Sequence, residues 1–283
     1  MTGRPIAPGI VVPEGACDTH IHVYGPPDRY PSVSTTPFPV PDAPPAAFQK
    51  SMMEGLGIER AVVVQPSAHG KDNSCTLDAV AELGPSARAV VVVDSDTSDE
   101  DLQRMTDAGA RGVRFHMLPG GVLPWDILEE MAVRVHAFGW HVQLQMDGRD
   151  LPEREQVLLR LPGTLVIDRT GKFLEPVGTD HPGFQTLLRL VDTGRTWVKL
   201  SAPYETSKVG APDYSDVGIL ARALIVVAPE RMVWASNWPH PSAQDNLPDD
   251  KALMATILGW MGDDETRRRI LVDNPAQLYG FNE

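Results

Sequence analysis

The 283-residue chain is expected to fold as an α/β protein, a (β/α)8 TIM barrel, on three observations. Runs of about four to eight β-branched and apolar residues recur, each followed by an amphipathic helical stretch, as when helices cover parallel strands. His20 and His22 stand at i and i+2 near the end of the first run, so on a strand both imidazoles face the same side. Barrel enzymes carry their catalytic groups there, at the C-terminal ends of strands. No G-x-G-x-x-G or G-x-x-x-x-G-K-[ST] motif follows any strand, which removes the commonest nucleotide-binding reasons for an open doubly wound sheet.

The strands are expected over Ala16–Val23, Arg60–Gln65, Arg88–Asp94, Ala110–His116, Trp140–Gln145, Thr164–Asp168, Thr196–Ser201 and Met232–Asn237. Helices are expected over Ala43–Leu56, Asn73–Leu83, Ser98–Ala108, Pro124–Phe138, Leu151–Leu161, Pro182–Thr193 and Ser215–Ala228, with a final helical segment from Asp249 onward. Parallel strands joined through helices need right-handed crossovers, and eight of them close into a barrel. One domain over residues 1–283 is expected, since barrels of about 250 residues form single domains. Tyr24–Pro45 holds eight of the 26 prolines and reads as a long ordered loop after the first strand, shaping the barrel mouth.

With 42% hydrophobic residues the chain can bury a large core, and its net charge of −13 argues against nucleic-acid and anionic-membrane partners, which need a clustered basic patch. Local arginines can still hold a small anionic substrate. Cys17 and Cys75 are the only cysteines, so neither a disulfide framework nor a cysteine zinc site is expected. Residues 1–15 contain Pro5, Pro8 and Pro13 without an apolar signal core, and no stretch reaches spanning length, so a soluble, cytoplasmic protein is expected. Nothing in the pattern fixes an oligomeric state.

The strand ends supply His20 and His22, then Gln65 and Ser67, Arg114 and His116, Gln145 and Asp147, Asp168 and Arg169, Lys199, Ser201 and Tyr204, and finally Asn237 and His240. Of these, His20, His22, Arg114, His116 and His240 are the catalytic candidates. Gln65, Ser67, Gln145, Arg169, Tyr204 and Asn237 are the substrate-binding candidates. A catalytic metal would need a third protein ligand beside the histidine pair and an open position for water. Asn237 is a poor zinc ligand; His116 or Asp168 could complete a set. No cofactor is therefore expected, with a divalent ion such as zinc as the lesser alternative. Arg114 either pairs with a core carboxylate such as Asp94 or forks onto a substrate carboxylate, and its strand-end position favours the second. In Gln65–Asn73, Asp72 or Asn73 could equally cap a helix. Tyr204 could cover a core edge, with Lys199 and Ser201 flanking a packed strand. The prolines of Trp238-Pro239-His240-Pro241 are expected to hold His240 over the mouth. His136, His141 and His181 read as structural or solvent-facing.

Taken together, Asp18-Thr19-His20-Ile21-His22, Val63-Val64-Gln65-Pro66-Ser67, Gly112-Val113-Arg114-Phe115, Gly171-Lys172-Phe173, Val198-Lys199-Leu200-Ser201-Ala202-Pro203-Tyr204, Asn237-Trp238-Pro239-His240-Pro241 and Asp273-Asn274-Pro275-Ala276-Gln277-Leu278-Tyr279-Gly280-Phe281 resemble the amidohydrolase superfamily. Within it they resemble the lactone-processing branch, amidohydrolase 2, that holds the pyrone-dicarboxylate lactonases and galactarolactone isomerases. The resemblance implies a distorted barrel acting on lactones of sugar acids or pyrone carboxylates, with the wider superfamily's metal dispensable. It also implies that the strand-one histidines and Arg114 grip the lactone carbonyl or carboxylate. Two positions depart from the branch's pattern: Asp168-Arg169-Thr170-Gly171 carries arginine where histidine is usual, and Asn237 stands where aspartate is frequent. Hydrolysis needs a group that takes a proton from water, which arginine and an amide do not provide. Ring isomerisation asks less, because the nucleophile is the substrate's own hydroxyl at high effective concentration. His116, His240 or His20 could shuttle its proton while Arg114 and Arg169 stabilise the oxyanion. Met117-Leu118-Pro119-Gly120-Gly121 after His116 offers no second arginine, which weighs against the pyrone dicarboxylate itself. The expected function is metal-independent hydrolysis or isomerisation of an anionic carboxylated lactone. The alternatives are a metal-dependent decarboxylase or lyase of the same superfamily, and a non-catalytic ligand-binding barrel.

Overall fold

The computed structural model describes residues 2–33 and 39–281. A short antiparallel hairpin, β1 (Gly3–Ala7) and β2 (Ile10–Pro13), precedes the barrel; it was not anticipated, because Pro5, Pro8 and Pro13 read as loop. Eight parallel strands follow in sequence order: β3 (Cys17–Ile21), β4 (Arg60–Val64), β5 (Ala87–Val91), β6 (Ala110–His116), β7 (His141–Gln145), β8 (Leu165–Ile167), β9 (Thr196–Ser201) and β10 (Met232–Ala235). The covering helices are α1 (Pro45–Phe48), α2 (Ser74–Leu83), α3 (Asp99–Asp107), α4 (Leu128–His136), α5 (Leu151–Arg160), α6 (Pro182–Asp192) and α7 (Ser215–Val227). Then come α8 (Asp250–Trp260), α9 (Asp264–Arg268) and α10 (Asn274–Tyr279). This is the expected (β/α)8 barrel.

The register of β6 on β7 pairs Gly112 with His141 at the bottom and His116 with Gln145 at the mouth. Gly112 is required there, because a Cβ would stand 2.4 Å from His141 Nε2. The barrel closes between its first and last strands without a regular ladder. His22 N donates to Trp238 O at 2.8 Å, Asn237 N to His20 O at 3.0 Å, and Thr19 Oγ1 to Trp234 O at 2.8 Å. Asp18 accepts from the backbone N–H of Ser236 at 3.0 Å and from its hydroxyl.

Several expected boundaries are corrected. The third barrel strand stops at Val91 rather than Asp94, because the Asn73 side chain bonds both Val92 N (2.9 Å) and Val92 O (2.8 Å) in place of a neighbouring strand. The last strand stops at Ala235, before Asn237 turns into the left-handed region at φ 66°. The helix expected over Ala43–Leu56 is α1 running into a π-helical turn, Gln49–Glu54. The Tyr24–Pro45 loop is pinned at its base, where Tyr24 N donates to Ala43 O at 3.0 Å, and Val33 N donates to Ala68 O at 2.8 Å. Residues 34–38 of that loop lie outside the described residues.

The core fills the space between strands and helices, and the barrel has its own floor. Tyr279 of α10 is fully buried against inward-facing Cys17, Val62, Val64 and Val90, closing the bottom with aromatic volume.

Candidate active site

The polar residues of the barrel interior form a column rising from the Tyr279 floor. Lys199 Nζ sits 5.8 Å from the centre of that ring and donates to Thr19 O and Gln143 Oε1, each at 2.7 Å. With its oxygen so engaged, the Gln143 amide turns Nε2 toward Asp168 Oδ2 at 3.0 Å. Asp168 also lies 3.9 Å from Lys199 and faces His20 Nδ1 at 3.3 Å. Burial pushes this carboxyl up, but its pairing with His20 and the fields of Lys199 and Arg169 outweigh it and hold Asp168 far below the usual range. Burial, helped by the nearby charges of Arg114 and Arg169, pulls Lys199 down to about 8 against the opposing pull of Asp168.

Donor rules settle the next links. The Val64 carbonyl can only accept, so His22 Nδ1 carries the hydrogen of their 2.8 Å bond. Ionised Asp168 likewise makes His20 Nδ1 a donor. The Nε2 atoms of His20 and His22 then face each other as lone pairs 3.2 Å apart. Burial lowers His20 to about 3 and His22 well below its ordinary value, so both are neutral near pH 7.

That spacing suits two ligands of one tetrahedral zinc, whose nitrogens would sit about 3.3 Å apart on bonds of about 2.05 Å. The rest of the site does not fit a catalytic ion, which takes a third protein ligand. Among the described residues no three His, Cys, Asp or Glu side chains are grouped so that they could hold one metal ion. The charged groups that act on the pair are Asp168, on the far nitrogen of His20, and the cations Lys199, Arg114 and Arg169.

Above the column lies a cavity of about 440 Å³ whose walls include His22, Ser67, Arg114, His116, Gln145, Arg169, Lys172, Tyr204 and Glu205. Gln145 Oε1 accepts from Arg169 Nε at 3.0 Å and from Arg114 Nη2 at 3.4 Å, setting two guanidiniums side by side. Arg114 also donates to Gln65 O at 2.8 Å, its Nε has no hydrogen-bond partner, and among the described residues it has no ion pair. Burial lowers it only to about 10, so it remains a cation. Arg169 Nη1 lies 3.0 Å from Glu205 Oε1, and Lys172 pairs with the same carboxylate. Burial pushes Glu205 up, but Arg169 and Lys172 override it and bring it to about 2. His116 Nδ1 bonds Ser67 Oγ at 3.2 Å, and burial takes His116 down to about 3.

Three adjacent loops hold these groups in left-handed backbone. Arg169, Thr170 and Lys172 after β8, Ala202 after β9, and Asn237 and His240 after β10 all have φ between 44° and 66°, a conformation that costs non-glycine residues energy and recurs at functional sites.

Seven of the expected site residues thus line one cavity: His22, Ser67, Arg114, His116, Gln145, Arg169 and Tyr204. Four do not. His20 lies beneath His22 as its support. Gln65 is corrected to a scaffold residue: its fully buried amide donates to Gly70 O and Asp72 O and accepts from Thr76, fixing the loop after β4. Asn237 sits behind the wall, bonding Arg169, Tyr204 and Glu205. His240, expected over the mouth, is 2% exposed and also lies behind the wall, bonded to Tyr204 and Asp250. Asp94 pairs with Lys71 rather than Arg114, and Asp147 pairs with Arg149. Lys172 and Glu205 were missed as site residues, although Lys172 lies in the quoted Gly171-Lys172-Phe173 and Glu205 directly follows Tyr204.

The amidohydrolase family model (Amidohydro_2) matches residues 17–281. D-galactarolactone isomerase of Agrobacterium fabrum is 39% identical over 276 residues, covering 96% of this chain and 94% of that protein. 2-Pyrone-4,6-dicarboxylate hydrolase of Comamonas testosteroni is 36% identical over 286 residues, covering 98% and 93%. A solved apo structure from Agrobacterium tumefaciens superimposes with a TM-score of 0.89 at 38% identity, covering 97% of this chain and 98% of that one. A strand-end site of this composition, in a barrel matched over nearly its whole length, places the chain in the amidohydrolase family, to which it belongs.

Proposed function

We propose that this protein acts on a carboxylated lactone without a metal ion, moving the ring ester from one hydroxyl of the substrate to another. The observation that carries the reading is Arg114, a buried cation on the cavity wall that no described carboxylate neutralises. Such a group needs an anion, and a planar guanidinium suits a carboxylate. Arg169 and Lys172 stand ready for the negative charge that develops on the ester oxygen, a stabilisation that is strong in a buried site. Isomerisation is favoured over hydrolysis because the one carboxylate in the described walls, Glu205, is held by two cations and brought to about 2. It is therefore a poor base for activating water. The neutral imidazoles of His22 and His116 offer hydrogen bonds to substrate hydroxyls. The similarity to a galactarolactone isomerase supports the same substrate class, and the donor set around His20 and His22 supports the metal-free route.

The test is time-resolved proton NMR of metal-stripped protein with aldaric-acid lactones and pyrone carboxylates, beside the double variant His20→Ala/His22→Ala. A new lactone ring size, formed by the wild type and lost in the folded double variant, is the expected result. Ring-opened acid would replace isomerisation by hydrolysis. Turnover that returns only with added zinc or manganese would end the metal-free part of the reading, and an inert panel under both conditions would end the whole.

A further inference from the structure

Behind the Tyr204 wall runs a second chain of hydrogen bonds, separate from the His22–His20–Asp168 column. Tyr204 Oη lies 2.9 Å from His240 Nδ1, and His240 Nε2 lies 2.8 Å from Asp250 Oδ1. The Asp250 carboxylate only accepts, so His240 Nε2 carries the ring hydrogen. In the neutral ring Nδ1 is then a lone pair, and the phenol donates to it. Asn237 completes the arrangement: its Oδ1 accepts from Arg169 Nη2 at 3.1 Å, which turns Nδ2 toward Tyr204 Oη at 2.8 Å. An aspartate at 237 could not make that bond, having no donor. One lone pair of the phenol oxygen is left for a hydroxyl in the cavity that Tyr204 lines.

We propose that Tyr204 is the catalytic proton acceptor and donor of the ring exchange, with His240 and Asp250 as its positioning residues. The inference rests on the lactone reading above. The attacking substrate hydroxyl gives its proton to Tyr204 Oη while the phenolic proton passes to His240 Nδ1, and the new C–O bond forms at the ester carbon as the carbonyl π pair moves onto the carbonyl oxygen. The oxyanion pair then re-forms the carbonyl while the bond from that carbon to the ring oxygen breaks, its electron pair staying on the ring oxygen. The proton returns from His240 through Tyr204 to this leaving oxygen. Protons and electrons balance with no water or oxidant consumed. Both oxygens are bonded to one tetrahedral carbon, so a single relay serves attack and expulsion. Asp250 stabilises the imidazolium formed in between, as the aspartate of an acyl-transfer triad does. Burial and the neighbouring Glu205 charge push the Tyr204 phenol well above its usual value, which suits an oxygen that passes a proton on rather than one that rests as tyrosinate.

Two measurements on the full-length protein test the relay. Nitrogen-15 NMR of the His240 ring should show a protonated Nε2 and an unprotonated Nδ1; the opposite tautomer overturns the proposal whatever the substrate. On the lactone the wild type converts, Tyr204→Phe should lower kcat by about 100-fold or more with KM within about threefold. His240→Ala should fall similarly and be restored in part by added imidazole, which a merely structural role would not allow. A Tyr204→Phe enzyme close to wild type in kcat, or an His240→Ala loss that imidazole leaves untouched, overturns it. Should the wild type convert no lactone, the proposed function falls and the ring tautomer alone decides the relay.

Discussion

Arg114 keeps its charge in a wall where Gln65 O and Gln145 Oε1 are its hydrogen-bond partners, and the proposed function gives it a role in binding rather than in stability. Replacing it with Met should raise KM by about 100-fold, the loss of a charge-assisted bidentate contact, while urea unfolding shifts by less than about 2 kcal/mol. A large stability loss with KM unchanged would make Arg114 a scaffold residue instead. The contrast with Gln65 shows what residue types disclose. Both are polar groups at strand ends, and their order along a strand fixes which face they occupy. Whether the functional atoms then turn to the cavity or into the following loop depends on Gly70, Asp72 and Thr76, carbonyl and hydroxyl partners that spacing does not identify. His240 was misplaced for the same reason: its prolines gave rigidity, but Asp250, ten residues on, gave direction.

At the scale of elements, strands and helices were legible because their apolar periods are long and regular. Their ends were not, since single side chains decide them, as Asn73 does at Val92. The strand-end loops reach the cavity for a physical reason: six residues in left-handed backbone after β8, β9 and β10 turn the chain sharply, and Arg169, Lys172, Tyr204 and Glu205 of these loops line the cavity. The floor was the least legible element, because α10 reads as an ordinary terminal helix until Tyr279 is seen beneath Lys199. Tyr279→Ala should cost about 3–5 kcal/mol in denaturant unfolding, the range for removing a buried aromatic ring. A cost under about 1 kcal/mol would show that the barrel does not need its plug.

Across the whole molecule, the buried neutral histidines make stability depend on pH. Burial brings His20, His116 and His141 to about 3 and lowers His22 as well, whereas in the unfolded chain each titrates near about 6.5. Between those values the unfolded state binds more protons, so stability is full above about pH 6.5 and is lost progressively as pH falls toward 3. Each ring contributes up to about 1.4 kcal/mol per pH unit. Urea midpoints at pH 7 and pH 5 should show this loss, and His141→Phe, far from the cavity, should shallow it; equal midpoints would contradict the burial of these rings in neutral form. The closure between the first and last barrel strands has a consequence for how the protein comes into being. Asp18 and Ser236 meet across 218 positions of sequence, and the histidine pair and Asn237 lie on either side of that junction. During synthesis the first strand must therefore wait, half-paired, until nearly the whole barrel has emerged, and the binding cavity comes into existence only with that last stitch. If the proposed function holds, turnover in a newly made chain is a readout of completed assembly, and a chain that stops before Ser236 makes no product.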